Sequence, residues 1–271
     1  MLIRLLIVLQ LLPVLLSARQ NDSLPLLRSF GIAYENDLLV VLPGDPTDYY
    51  YTGGTFIAFN LPVLRRNPVS KILLTLPRGY DESFGISYNN LAFTPTSIQS
   101  DSILQGDRPF SGTLYLGFSR VSCDRVKQLR LSSQLHLGVI GPAALGYETQ
   151  KFIHANTNNP EPHGWEFQIA NDVYLNYLVK LEKGLLMKPV VELIGYATAS
   201  AGTIYTNAGA GIQLRAGKMQ PYFAPRRYSG RLQWWTYAAG ECRVIGRDAT
   251  LQGGLLNTGS AYAIPGSSIN R

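Results

Sequence analysis

The chain has 271 residues and a net charge of +6, with only 15% charged residues against 26 Gly and 16 Tyr. Soluble proteins carry about a quarter charged residues, and the basic side chains here are scattered rather than clustered, so a soluble enzyme and a nucleic-acid binder are both disfavoured. The length suits one large domain, and no break in composition argues for two.

The first feature in chain order is a leader. Arg4 precedes an apolar run from Leu5 to Leu16, and the small residues Ser17 and Ala18 follow. Residues 1–18 therefore read as a signal peptide and 19–271 as a single exported domain. An uncleaved amphipathic anchor is the alternative, because Leu15 or Leu16 stands where a second small residue is wanted. No other segment approaches the roughly 18 uninterrupted apolar residues of a membrane helix. After export such a chain enters a membrane only as a barrel.

Period-two alternation then predicts strands over 29–41, 50–61, 82–92, 111–121, 130–140, 172–183, 187–199, 203–216 and 231–246. In the fifth, Leu131, Leu135, Leu137 and Val139 oppose Arg130, Ser132, Gln134, His136 and Gly138. In the eighth, Ile204, Ala208, Ala210, Ile212 and Leu214 oppose Tyr205, Asn207, Gly209, Gly211, Gln213 and Arg215. Apolar outside and polar inside is what lipid and a wet lumen demand. Helical sequence is confined to the long loop between strands five and six, over 144–154 and again near 165–170. After Gln252 no alternating run follows, whereas bacterial barrels hold an even number of strands. Either strands escape this reading or the barrel is truncated at its C-terminal end and open along an edge. Tyr49, Tyr50, Tyr51, Trp234 and Trp235 read as an interfacial girdle. Cys123 falls at a periplasmic turn and Cys242 well along an outward-running strand, too far apart to bond.

Strand parity sends the loops after strands one, three and five to one outer rim. There Asn36, Asp37, Thr52, the GDRPFSG segment from Gly106 to Gly112, and His154 converge at the depth of outer-leaflet acyl esters. Ester hydrolysis needs a base and something positive to hold the developing oxyanion. His154 is the candidate base. Asn36 is a candidate oxyanion donor through its amide. Asp37 either orients the histidine or, with Thr52, Glu161 or a carbonyl oxygen, binds a hard cation such as Ca²⁺ that polarises the ester. Thr52 or water attacks, and nothing marks Thr52 as activated. Glu35 and Glu241 read as solvated wall residues, His136 and His163 as structural.

Four ordered motifs carry a resemblance: YEND at Tyr34 to Asp37, DYYYTGG at Asp48 to Gly54, GDRPFSGTLYLG at Gly106 to Gly117, and the run LGVIGPAALGYETQKFIHANTNNPEPHGWEFQIAND from Leu137 to Asp172. In these the chain resembles the lipid A 3-O-deacylase (LpxR-type) outer-membrane family. The resemblance implies a twelve-stranded antiparallel barrel in the bacterial outer membrane, and a monomer is expected. It also implies a Ca²⁺-dependent esterase acting on the 3′-linked acyloxyacyl chain of lipid A, with its site between wall and membrane near the outer surface. The family's catalytic residues map onto Asn36, Asp37, Thr52 and His154, and an acidic loop residue onto Glu161. The competing readings are a non-catalytic, degraded barrel remnant and a small outer-membrane pore.

Overall fold

The computed structural model describes residues 29–36, 50–77, 81–157, 159–224 and 232–266. The expected signal peptide, Asp37 and Tyr49 lie outside these, and Asn36 is described by its backbone alone. Nine antiparallel strands follow one another in chain order: β1 (Ser29–Asn36), β2 (Gly53–Asn60), β3 (Asp81–Phe93), β4 (Ser111–Asp124), β5 (Leu129–Ile140), β6 (Asp172–Met187), β7 (Val191–Gly202), β8 (Tyr205–Lys218) and β9 (Trp234–Asp248). They form one sheet curled as a half-barrel. Among the described residues β1 and β9 are its two edges. Each expected strand is present; β3 to β9 are as long as, or longer than, the 9–11 residues a tilted membrane strand needs.

Register fixes the faces, because residues directly paired across antiparallel strands point the same way. Leu116, Leu137, Leu175, Ala201 and their same-face neighbours Ile212 and Leu214 lie on one side, and Leu116, Leu137, Leu175, Ile212 and Leu214 all remain exposed. The opposite side carries His136, Asn176, Ser200, Gln213 and Arg215. The apolar side is the lipid face and the polar side the lumen. Side chains fill that lumen near its mouth. Tyr115 stacks on His136 at 4.5 Å between ring centroids and on Tyr174 at 4.4 Å. Residues 249–263 fold back over them, Ala249 packing with Ile140, Ile169, Tyr174 and Ile204. At the other end Tyr222 and Phe223, from the connection between β8 and β9, reach inward. Tyr222 donates through its hydroxyl to Glu182 at 2.7 Å, and Phe223 packs on Cys123 and Ile194.

Three expectations change. Ile204 does not face lipid; it sits in the turn between β7 and β8 and is fully buried in the cluster at the mouth. Tyr51 is not a girdle residue, since its hydroxyl donates to Glu35 at 3.0 Å. Trp235 pairs with Gly217 on the luminal side, under the Arg215 guanidinium at 5.8 Å. Cys123 and Cys242 are both free, the first buried in the lumen and the second exposed on the lipid face. The sequence reading missed a 3-10 helix at Pro62–Arg66, α1 (Val69–Ile72) and the terminal turn α3 (Ala249–Gln252), which Asp248 caps by accepting from Thr250 N at 3.0 Å.

Candidate active site

β5 ends at Ile140, and Gly141 after it has a φ of +99° that turns the chain off the wall; an added Cβ would meet Ala170 main chain at 2.7 Å. After a 3-10 turn at Pro142–Ala144 comes α2 (Gly146–Thr157). Its buried residues are Gly146, Gln150 and His154. Four-residue spacing places them in one stripe along the helix. That stripe docks on the outside of the wall. Gly112 pairs with Ala92 on the lipid face, and a Cβ on Gly146 would stand 3.1 Å from Gly112 Cα. Asn90, also on the lipid face, donates through Nδ2 to Ala144 O at 2.8 Å and so ties the root of α2 to β3.

The same stripe is braced by Trp165, which donates from Nε1 to Gln150 Oε1 at 2.7 Å and packs on Phe110 at 5.0 Å. A buried indole N–H left without its acceptor costs about 1–3 kcal/mol. Gln150→Ala is therefore expected to loosen this loop by that amount, read as faster protease cleavage between 141 and 171 with strand amides still protected from exchange.

Thr52 approaches from the other direction. Tyr50 N donates to Thr94 O at 3.1 Å and Thr52 N to Ala92 O at 3.0 Å, so the chain entering β2 is pinned to β3. Arg108 of the GDRPFSG segment clasps the same chain, donating from Nη1 to Tyr50 O at 2.5 Å. Thr52 Oγ1 shares a 2.6 Å hydrogen bond with Thr94 Oγ1. Between β1–β3 and α2 lies an open cleft of about 340 Å³, lined by Tyr34, Thr52, Asn90, Thr149, Gln150 and His154 among others. Its wall residues Tyr34, Gly53, Thr55, Asn90 and Ala92 share the lipid face by register. The cleft therefore opens beside the hydrocarbon, not into the lumen, and Tyr34 and Ile153 lend it apolar surface.

His154 and Thr52 are each 5% exposed. His154 Nδ1 lies 2.6 Å from Pro160 O. A carbonyl oxygen only accepts, so Nδ1 carries the hydrogen and the neutral ring keeps its basic lone pair on Nε2. The sequence-predicted residues thus meet in part. Thr52 and His154 line one cleft, and Asn36 pairs through its backbone with Gly53 of the same lining. Glu161 is not among the lining residues. It is exposed on the loop, bonded by Lys151 Nζ at 2.5 Å and Tyr147 Oη at 3.1 Å, contacts that hold its carboxyl below the usual range. Sequence reasoning missed Tyr34, Asn90 and Gln150. Asn90 carried a signal, as a polar residue at a lipid-facing position of β3.

A hard cation asks for six or more oxygen donors including carboxylates. Among the described residues no group of three His, Cys, Asp or Glu could hold a metal. The cleft offers the Thr52 hydroxyl and the Asn90 carboxamide, which are neutral donors, while Glu161 is engaged by Lys151. These fit Ca²⁺ only if Asp37, next in sequence to Asn36, adds its carboxylate.

The family model described as "Outer membrane protein LpxR" matches residues 2–265. Among solved structures, LpxR from Salmonella typhimurium is similar, with a TM-score of 0.60 and 21% sequence identity over 80% of this chain and 74% of that one. At that identity the likeness speaks for the fold. No curated protein matches in sequence.

Proposed function

Because the chain belongs to the LpxR family of outer membrane proteins, we propose that it is an ester hydrolase that removes the 3′-linked acyl chain of lipid A in the outer leaflet. The observation that carries this reading is the cleft itself: a buried histidine and a threonine hydroxyl set on the lipid-facing side of the wall beneath a helix. An ester at the base of an acyl chain reaches such a cleft without leaving the bilayer.

In the proposed reaction water attacks the ester carbonyl and gives its proton to His154 Nε2, which returns it to the departing sugar oxygen. Hydrogen bonding of Nδ1 to Pro160 O supports this, since it orients the ring and steadies the imidazolium that forms. Asn36 is the candidate donor to the oxyanion. A Ca²⁺ ion held by Asp37 and Thr52 would supply polarisation of the carbonyl. The Thr94 hydroxyl steadies that of Thr52, and α2 shields the reacting groups from bulk water. The pore reading finds no support, because aromatic side chains and residues 249–263 fill the mouth of the lumen.

The test is mass spectrometry of lipid A from cells with and without the expressed chain. The expected result is loss of one 3′-linked acyl or acyloxyacyl group; an unchanged lipid A profile with the protein present in the outer membrane would overturn the proposal. Chelation is expected to stop release, and added Ca²⁺ to restore it in the parent but not in Asp37→Ala. Release indifferent to chelator would remove the metal from the reaction.

A further inference from the structure

The connection between β2 and β3 lies at the end of the wall opposite the cleft, where a short turn is the rule. Glu82, Arg120, Ser122 and Ser133 share the lipid face by register, as does Tyr177 opposite Leu135. Bare charges on that face are costly. Residues 61–77 cover them from outside the wall. Arg120 Nη1 donates to Ser70 O and Leu73 O, both at 3.3 Å, while its Nη2 bonds Glu82. Ser133 Oγ donates to Leu74 O at 2.8 Å, Leu76 N to Ser122 Oγ at 2.9 Å, and Tyr177 Oη to Ile72 O at 3.0 Å. A strap thus runs across the outer surface of β3 to β6.

Its free side has a definite character. Val63, Ile72 and Leu74 are 54%, 59% and 52% exposed. Beside them Arg65, Arg66 and Lys71 are exposed, and 61–77 contains no acidic residue. Apolar side chains with a basic rim are the signature of a segment lying in a membrane interface next to anionic headgroups. Depth agrees. Ser122 stands ten residues along β4 from Gly112, beside the cleft; at about 3.3 Å per residue and a tilt of 35–45° that is about 25 Å along the membrane normal, the height of a barrel's apolar band. The cleft and the strap occupy its two borders.

We propose that residues 61–77 form a binding site for anionic glycerophospholipid headgroups of the inner leaflet, with Arg65, Arg66 and Lys71 holding the phosphates and Val63, Ile72 and Leu74 seated among the acyl chains. The proposal rests on the orientation taken above, with the cleft in the outer leaflet. The test uses the full chain in detergent, checked for folding by cold-SDS mobility and titrated in separate arms with phosphatidylglycerol, phosphatidylethanolamine and lipid A, retained lipid being counted by native mass spectrometry. Phosphatidylglycerol is expected to be retained at least fivefold over phosphatidylethanolamine. The triple substitution Arg65→Gln, Arg66→Gln, Lys71→Gln should bring it down to the phosphatidylethanolamine level, and Arg65→Lys with Arg66→Lys should keep it. Equal retention of the two phospholipids, or undiminished phosphatidylglycerol on the folded triple variant, overturns the site. Retention of lipid A alone, lost in the triple variant, overturns it together with the orientation. Binding is read without turnover, so a protein that hydrolyses nothing yet retains phosphatidylglycerol in this way keeps the site and loses only the proposed activity.

Discussion

Replacing His154 by Ala is expected to lower acyl release from lipid A by about 10²–10⁴-fold, the range a positioned general base contributes. His154 is buried in the cleft, and its Nδ1 is committed to Pro160 O, so one nitrogen holds the ring and Nε2 is the proposed proton acceptor. Removing the ring removes both functions and leaves the strands untouched, because α2 is also held by Gly146 against Gly112 and by Gln150 against Trp165. Heat-modifiable mobility of the variant on SDS gels should therefore match the parent. Release at the parent level from a folded His154→Ala protein would take His154 out of the reaction.

The second large effect is expected from Gly146→Val. A Cβ at this position meets the Trp165 ring at 2.7 Å and Gly112 Cα at 3.1 Å, and valine branches there. Neither neighbour gives easily, since Gly112 belongs to the wall and Trp165 is wedged between Phe110 and Gln150. Overpacking of this kind costs about 1–3 kcal/mol. The helix can escape it only by lifting from the barrel, carrying His154 away from Thr52. A misplacement of about 1 Å is enough for about a 10²-fold loss of rate. Gly146→Ala should fall between parent and valine. Full activity in Gly146→Val would mean that the close approach of α2 to the wall is not needed.

The wall was legible because lipid and lumen impose alternation on every strand, and only the ends of the strands shift between reading and structure. The helix bearing His154 was legible too, expected over 144–154 and observed at Gly146–Thr157. What escaped were elements formed by tertiary contact. The strap over 61–77 has neither period and three prolines, and it holds its place through Arg120, Ser133 and Tyr177, residues far away in sequence. Residues 249–263 show no strand pattern because they plug the mouth of the lumen. In the site, chemistry pointed to Thr52 and His154, but not to Asn90 or Gln150, whose work is to hold the helix. Glu161 was expected as a ligand from its carboxylate and from the resemblance; its bond to Lys151, one helical turn beyond Tyr147, is a tertiary contact the sequence does not signal.

The position of the cleft on the outer side of the wall has a kinetic meaning. In the proposed reaction the substrate would reach it by sliding within a leaflet, so encounter would be two-dimensional and the governing concentration the mole fraction of substrate lipid among its neighbours, not its amount per volume. Diluting the leaflet with inert lipid should slow the reaction at constant bulk concentration. A water-soluble ester bearing the same reacting bond but no long chains should be a poor competitor, however much of it is added.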